Sequence, residues 1–200
     1  MVYLDYAAST PVRKEVRKVV ADVERYFANP SSLHNAGKKA KDLLEYSRTK
    51  IKKILNAKEE DKILFASSGT ESINLALKGI AHTYKKNGKH IITSKVEHKA
   101  MLETCKFLEK EGFSVTYIGV DKYGRVNPKD VETAITKKTI LISIMYANNE
   151  VGTIQPITEI AAIAKKKKVL FHTDACQAGM LDLDVQRLGV DLLTLNSNKV

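Results

Sequence analysis

Short apolar runs alternate with segments of helical periodicity from residue 60 onward. The runs lie at 62–66, 90–94, 115–120, 139–147, 168–173 and 191–196. Between them, apolar residues recur every three or four positions within 73–84, 101–108 and 157–164, a spacing typical of amphipathic helices. Strands that are apolar on both faces and separated by such helices predict an α/β fold, with a mostly parallel sheet and helices on both faces.

The first sixty residues follow a different pattern. Thr10-Pro11 is typical of a helix start, with a threonine cap and a proline in the first turn. Apolar residues within 12–27 then form one helical stripe, and a second helix is predicted from about residue 37 to residue 55. We therefore expect an N-terminal helical segment at residues 1–60 and a ligand-binding domain at residues 61–200.

Composition narrows the class of protein. Two hundred residues with 44% hydrophobic content suit a globular domain with a substantial core. The N-terminus lacks the layout of a signal peptide, and the longest apolar stretch is too short to span a bilayer, so we expect no membrane association. Cys105 and Cys176 are too few and too far apart for a disulfide framework, which favours the cytoplasm.

The net charge of +10 raises nucleic-acid binding as an alternative function. The lysines and arginines, however, are scattered among acidic residues. The one dense run, Lys165 to Lys168, ends a predicted helix, where cations complement the helix dipole. We therefore do not expect direct nucleic-acid binding.

Residues suited to catalysis follow several of the predicted strands, and ligands bind at the carboxyl ends of strands in α/β sheets. The turn Ser67–Thr70 starts a helix, whose N-terminus attracts anions, and Gly69 permits close backbone approach. The turn therefore favours a phosphate site, although a plain turn capped by serine or threonine remains the alternative. It lacks the lysine of a nucleotide-binding P-loop, which disfavours ATP.

Two further candidates follow the runs 90–94 and 168–173. His98 opens a helix, where its ring could stack on a flat cofactor and move protons; an ordinary exposed histidine is the alternative. Asp174 needs a positive partner at a buried strand end, and a protonated pyridine nitrogen would be one. Gln177 would then bond the ring's phenolic oxygen. The alternative for Asp174 is capping of the following turn.

A metal site is another interpretation of the same stretch, because His172, Asp174 and Cys176 alternate along it. One such cluster without a second pair of ligands is a weak basis for zinc, so we predict no metal.

The last two candidates are an amide and an amine. Asn148 and Asn149 precede Glu150, and a side-chain amide there could contact the oxygen of a bound ring, unless these residues simply form an Asx turn. Lys199 follows the run 191–196, and lysine forms Schiff bases with carbonyl cofactors; a surface lysine is the alternative. Together the candidates predict a site for a phosphorylated pyridine cofactor.

The motifs and their order resemble those of the group I cysteine desulfurases, which belong to the class V aminotransferase superfamily of fold type I. The resemblance covers essentially the whole chain. The matching stretches are YLDYAASTP (3–11), NPSSLHNAG (29–37), SSGTES (67–72), GKHIITSKVEHKA (88–100), EGFSVTYI (111–118), ANNEVGTIQP (147–156), HTDACQ (172–177) and NSNK (196–199).

The resemblance implies pyridoxal 5′-phosphate as cofactor, and conversion of L-cysteine to L-alanine with a persulfide formed on the enzyme. The sulfur would serve iron–sulfur cluster assembly or tRNA thiolation through a sulfur-acceptor or scaffold protein, and the enzyme would be a homodimer. It implies catalytic roles for Lys199 and His98. The implied cofactor-binding residues are Gly69, Thr70, His98, Asn149, Asp174, Gln177, Asn196, Ser197, Asn198 and Lys199.

Two departures from the family pattern bear on these expectations. Asn196 and Asn198 stand where relatives usually carry a serine and a histidine, so we expect altered cofactor contacts, with Ser197 offering a displaced hydroxyl. The family also continues for a further stretch that carries the nucleophilic cysteine, the small domain and a strand pairing with 62–66. Residues 61–200 are therefore expected to be an incomplete large domain, inactive alone.

Other functions remain open beside this one. A selenocysteine lyase, or another class V lyase or aminotransferase, would share the cofactor pocket. A non-catalytic fragment that binds the cofactor or a partner protein is the alternative outside enzymes.

Overall fold

The computed structural model describes residues 2–199, and the chain divides into two compact units, Met1–Leu64 and Phe65–Val200. Residues 1 and 200, at which the predicted segments 1–60 and 61–200 begin and end, lie outside the described residues. The assignment of these segments as a helical part and an incomplete cofactor-binding domain stays a prediction.

Seven α-helices and five β-strands occur in the described range. The helices are α1 Lys14–Val23, α2 Asn35–Ile54, α3 Gly69–Tyr84, α4 Lys99–Lys110, α5 Pro128–Ala134, α6 Ile157–Lys167 and α7 Val185–Leu188. The strands are β1 His90–Ser94, β2 Ser114–Ile118, β3 Thr139–Ser143, β4 Leu170–Asp174 and β5 Leu192–Thr194, and a 3₁₀ turn spans Ser197–Lys199. Within residues 2–199, no helix combines the length and hydrophobicity that crossing a membrane requires.

The five strands form one sheet in the order β2-β1-β3-β4-β5, and all neighbouring strands are parallel. Every residue of β1 and of β3 is buried, as expected for strands covered on both faces. The strand order reverses between β1 and β3, because the chain leaves β1 toward β2 and leaves β3 toward β4. Such a switch point opens a crevice beyond the strand ends.

Helices cover both faces of the sheet and confirm the predicted α/β fold. On one face, Ile142 and Phe171 pack against apolar residues of α5 and α6, including Ile160. On the other, Leu141 packs against α3 and α4, where Leu77 and Cys105 are fully buried. Cys105 falls on the apolar helical spacing of residues 101–108 and is a core residue. Burial raises the pKa of this thiol to about 12, so it stays protonated.

The prediction of a strand at residues 62–66 is wrong for this structure. No strand or strand pairing includes them, and Leu64 and Phe65 are exposed. An apolar extended run becomes a strand only where a neighbour supplies hydrogen bonds to its backbone.

Both helices of the first unit start at residues other than those predicted. Helix α1 starts at Lys14, after Arg13, rather than at Thr10-Pro11, and α2 starts at Asn35, where His34 Nδ1 accepts a hydrogen bond from the Gly37 N–H at 3.2 Å. The apolar stripe of α1 is present but none of its residues is buried, and Val19 is 59% exposed.

Candidate functional site

A pocket of about 140 Å³ lies in the second unit, at the carboxyl ends of β1, β3, β4 and β5 and at the N-terminus of α3. Most of the predicted site residues line it. The lining consists of Ser68, Gly69, Thr70, Ile73, His98, Met145, Ala147, Asn149, Asp174, Cys176, Gln177, Asn196 and Lys199.

The first turn of α3 forms one wall. Ser68 caps the helix, with its Oγ accepting the Glu71 N–H at 3.2 Å, and the Ser67 hydroxyl donates to Glu71 Oε2 at 2.6 Å. The hydrogen bonds that the hydroxyl and the N–H of Ser67 donate to Glu71 hold the pKa of this carboxyl group below its ordinary value. A Cβ on Gly69 would lie 2.9 Å from Cys176 Sγ, so glycine permits the close approach of helix and strand end. The serine cap, which was the alternative interpretation, is observed, and the predicted approach of a phosphate to Gly69 stays a prediction.

The turn after β1 contributes His98 to a second wall. His98 is the N-cap of α4, and its Nδ1 accepts the Ala100 N–H at 3.1 Å. Because Nδ1 accepts, the neutral ring carries its proton on Nε2. The ring is exposed, so it is open to a ligand in the pocket.

The adjacent asparagines after β3 have separate tasks. Asn148 is buried, and its Oδ1 accepts the N–H groups of Glu150 and Val151, each at 2.9 Å, which is the Asx turn considered above. Asn149 instead lines the pocket, with Nδ2 donating to Glu150 Oε1 at 3.0 Å. Of these two asparagines, Asn149 is therefore the one whose side chain lines the pocket.

Asp174 ends β4 and is buried beside the pocket. Its Oδ1 accepts the Cys176 N–H at 3.0 Å, so it also caps the following turn, as the alternative interpretation held. Burial, and then the negative charge of Asp174, raise the pKa of the Cys176 thiol above its ordinary value, so this pocket cysteine is a neutral thiol. Gln177 is half-buried and lines the same wall.

His172 belongs to the interior of the sheet. Its Nδ1 is 2.7 Å from Ser143 Oγ and its Nε2 is 3.0 Å from Thr194 Oγ1, while Thr194 Oγ1 is 3.2 Å from Ser72 Oγ on α3. Burial lowers the pKa of His172 to about 4. Both ring nitrogens are thus engaged, and no group of three potential metal ligands occurs within residues 2–199.

The 3₁₀ turn brings Lys199 and Asn196 to the pocket, with the Lys199 N–H donating to the Asn196 carbonyl at 3.4 Å. Asn196 Nδ2 lies 3.7 Å from the point that a Cβ on Gly69 would occupy, close to the start of α3. Ser197 and Asn198 are exposed and do not line the pocket, so cofactor contacts by these two stay predictions.

Glu97 is the residue that the sequence analysis missed. It is only 5% exposed; the Ser94 hydroxyl donates to its Oε1 at 2.6 Å, and the Met145 N–H donates to Oε1 and Oε2 at 2.9 and 3.1 Å. Burial, with a smaller addition from the charge of Asp174, raises the pKa of Glu97 to about 8. Its position next to His98 was the available signal. Ile73, Met145, Ala147 and Cys176 also line the pocket without having been predicted to do so.

Comparisons with known proteins agree on one family. Residues 2–200 match the family model described as aminotransferase class-V. The cysteine desulfurase IscS of Dictyoglomus turgidum is 53% identical over 200 residues, which are 99% of this chain and 50% of that protein. The cysteine desulfurase IscS of Methanosarcina thermophila is 52% identical over 99% of this chain and 49% of that protein.

A solved structure has the same architecture. The structure described as SspA in complex with cysteine superimposes with a TM-score of 0.95 at 42% identity, over 100% of this chain and 58% of that one. The chain spans about half the length of the curated relatives it matches.

Proposed function

We propose that this chain, which belongs to the class V aminotransferase family, contributes the pyridoxal 5′-phosphate site of a cysteine desulfurase. Class V aminotransferases and cysteine desulfurases are enzymes that depend on this cofactor. The observation that carries the proposal is that Lys199, Asp174 and His98 line the same pocket as the N-terminus of α3.

The residues present fit the cofactor. A helix N-terminus suits a phosphate, and Ser68, Gly69 and Thr70 at the start of α3 line the pocket. A carboxylate can pair with a protonated pyridine nitrogen, and an amine can react with an aldehyde. Asp174 and Lys199 supply these two groups in the same pocket. The donor set therefore matches the chemical groups of pyridoxal phosphate.

The phosphate would be held by the first turn of α3 and by Asn196. The first amides of a helix lack partners within it and carry a partial positive charge, so the backbone of Gly69 and Thr70 suits a phosphate. Asn196 Nδ2 lies beside this turn and would donate a further hydrogen bond. Ser197 and Asn198 would contribute from outside the present lining.

The ring would be held by four side chains. His98 would stack on one face and move a proton at Nε2, since its Nδ1 is engaged by the Ala100 N–H. Asp174 would keep a proton on the pyridine nitrogen by pairing with it. Asn149 and Gln177 would donate hydrogen bonds to the phenolic oxygen. When bound, pyridoxal phosphate supplies a ring that withdraws electrons from the substrate's α-carbon.

Lys199 would bind the cofactor covalently through Nζ and, once released by the substrate's amine, would hold and move a proton at that atom. We propose L-cysteine as the substrate, because SspA, a structural neighbour at 42% identity, is described in complex with cysteine. The whole protein would release L-alanine and pass the sulfur to an acceptor or scaffold protein, for iron–sulfur clusters or tRNA thiolation.

We further propose a homodimer in the cytoplasm. The homodimer rests on the resemblance to the group I cysteine desulfurases, and the location on both cysteines being free thiols, as is usual in a reducing compartment. Gel filtration coupled to light scattering would determine the oligomeric state.

Cofactor titration tests the proposed function. The chain is mixed with pyridoxal phosphate, its visible absorbance is recorded, and borohydride reduction is followed by peptide mass spectrometry. We expect a new absorbance band and a permanent mass increase on Lys199, both lost in Lys199→Ala and retained in Lys137→Ala, an exposed lysine outside the pocket. Equal labelling of both variants, or no band at all, would contradict the proposal and favour a non-catalytic fragment.

A further inference from the structure

Two turns that form opposite walls of the pocket diverge at the switch point of the sheet. The turn after β1 carries His98, and the turn after β3 carries Met145, Ala147 and Asn149. Beyond the ends of the strands, no ladder hydrogen bonds join these turns, since β1 and β3 pair only over His90–Thr93. Some other contact must therefore fix the width of the pocket there.

Glu97 makes that contact from below the pocket. Its carboxyl group lies on the β1 side and accepts the Met145 N–H on the β3 side with both oxygens, at 2.9 and 3.1 Å. The Ser94 hydroxyl, at the end of β1, orients Oε1 from 2.6 Å. One buried side chain thus joins the residue before His98 to a backbone amide of the opposite wall.

Asn148 makes the reciprocal contact. Its Nδ2 donates to the Val96 carbonyl at 2.8 Å, while its Oδ1 holds the turn of its own segment. We call the contacts of Glu97 and Asn148 across the switch point the switch-point clasp. Because the two contacts run in opposite directions, the turns can neither separate nor slide without breaking a buried hydrogen bond.

We propose that Glu97 is a positioning residue, which sets the spacing between His98 and the Met145–Asn149 wall so that the pocket holds the ring of its cofactor. This inference rests on the proposed function, because it concerns binding of pyridoxal phosphate at the same site. Glu97 does not line the pocket; it acts through the residues that do.

A matched replacement exists for Glu97. Burial raises its pKa to about 8, so the carboxyl group is mainly protonated at neutral pH and offers one acceptor and one donor. Glutamine has nearly the same shape and keeps one carbonyl oxygen, which can accept the Ser94 hydroxyl and the Met145 N–H as Oε1 does.

The test compares Glu97→Ala, Glu97→Gln and a control, His90→Ala, in the 200-residue chain. His90 is also a buried polar residue of β1, with its ring nitrogens 2.7 Å from Thr139 Oγ1 and 2.8 Å from Thr116 Oγ1, but it lies at the opposite end of the strand. The measurements are the dissociation constant for pyridoxal phosphate and the visible circular dichroism per bound cofactor, which reports how firmly the ring is oriented.

We expect Glu97→Ala to weaken binding about tenfold, because it leaves the Met145 N–H buried without its partner, and to reduce the circular dichroism of the remaining bound cofactor. Glu97→Gln restores both. His90→Ala lowers the melting temperature while leaving both signals unchanged. If Glu97→Ala does not fold, Ser94→Ala, which removes only the hydroxyl that orients Oε1, is expected to weaken binding about threefold.

Two results would overturn the inference. Wild-type affinity and dichroism in Glu97→Ala, or in Ser94→Ala if the former does not fold, would show that the clasp does not position the ring, while leaving the proposed function intact. Failure of the wild-type chain to bind pyridoxal phosphate would overturn the proposed function and, with it, this inference.

Discussion

At the scale of single residues, the hydroxyl of Thr93 is the exception to a well-paired interior. Thr93 is fully buried in β1, and among the described side chains its Oγ1 is the buried polar atom that lacks a hydrogen-bond partner. Thr173, equally buried in β4, donates its hydroxyl to the Ile144 carbonyl at 2.8 Å. An unpaired buried hydroxyl destabilises the fold, whereas a paired one does not.

Replacement of these threonines by valine is therefore expected to have opposite effects. Thr93→Val should raise the free energy of unfolding by about 1 kcal/mol, because it removes a desolvated hydroxyl that forms no bond. Thr173→Val should lower it by about 1 kcal/mol, because the Ile144 carbonyl loses a donor. Urea denaturation of the three proteins measures both changes, and a loss of stability in both variants would contradict this account of Thr93.

The same scale explains which site residues could be predicted from the sequence. His98, Asp174 and Lys199 each follow a recognisable apolar run, so the rule that ligands gather at strand ends identifies them. Glu97 escapes that rule because a glutamate is normally exposed. Its burial depends on the Met145 amide, 48 positions away in the chain, and no local pattern reports that contact.

At the scale of secondary-structure elements, the first turn of α3 is the most tightly placed part of the pocket. Gly69 lies so close to the turn after β4 that a Cβ would be 2.9 Å from Cys176 Sγ, whereas a Cβ on Gly79 of the same helix meets nothing within 4 Å. Helix α3 thus contains one glycine, Gly69, that leaves no room for a side chain, and another, Gly79, that does.

Alanine substitution should separate the two glycines. Gly69→Ala is expected to lower the free energy of unfolding by about 1–3 kcal/mol through overpacking and to weaken pyridoxal phosphate binding. Gly79→Ala should raise stability by about 0.5–1 kcal/mol, because alanine is the better helix former. Urea denaturation and cofactor titration measure these effects.

The double variant Gly69→Ala/Cys176→Ala identifies the cause. Removal of Sγ makes room for the new methyl group, so the double variant should recover most of the stability lost in Gly69→Ala relative to a Cys176→Ala reference. No recovery would mean that the glycine is needed for a reason other than the contact with Cys176.

The bounds of a helix or strand could be predicted from the sequence where the residues of that element alone determine them. Strand β1 has the predicted bounds, His90–Ser94, because all five residues are buried. Residues 62–66 have a similar apolar composition but form no strand, since strand formation also requires a partner that lies elsewhere in the chain. Helix α1 starts after Arg13 rather than at Thr10; the cap motif identified the helix but not its first residue.

At the scale of the whole molecule, two fully buried titratable groups shape the dependence of stability on pH. The pKa of Glu97 is raised from 4.5 to about 8, so its contribution to stability is complete below pH 4.5 and is lost as the pH rises to about 8. The pKa of His172 is lowered from 6.5 to about 4, so its contribution is complete above pH 6.5 and is lost as the pH falls to about 4.

These two groups predict a plateau of stability between about pH 4.5 and 6.5, where their opposite slopes, each up to about 1.4 kcal/mol per pH unit, cancel. Above pH 6.5 the free energy of unfolding of the wild-type chain should fall, whereas that of Glu97→Gln should not. Urea denaturation between pH 4 and 9 measures the difference between the two proteins, in which the contributions of other groups cancel. Parallel curves would contradict a neutral Glu97.

The walls of the pocket are spread along the chain, from Ser68 to Lys199, and this spacing has a consequence for biosynthesis. The walls that follow β1, β3, β4 and β5 are each brought into place by a strand that pairs with strands distant in sequence. A ribosome that has completed β1, or even β4, has therefore not yet made a site that can capture the cofactor covalently. Of the residues that line the pocket, Lys199 is translated last, so under the proposed function a new chain would bind its cofactor covalently only after β1 to β5 have been made.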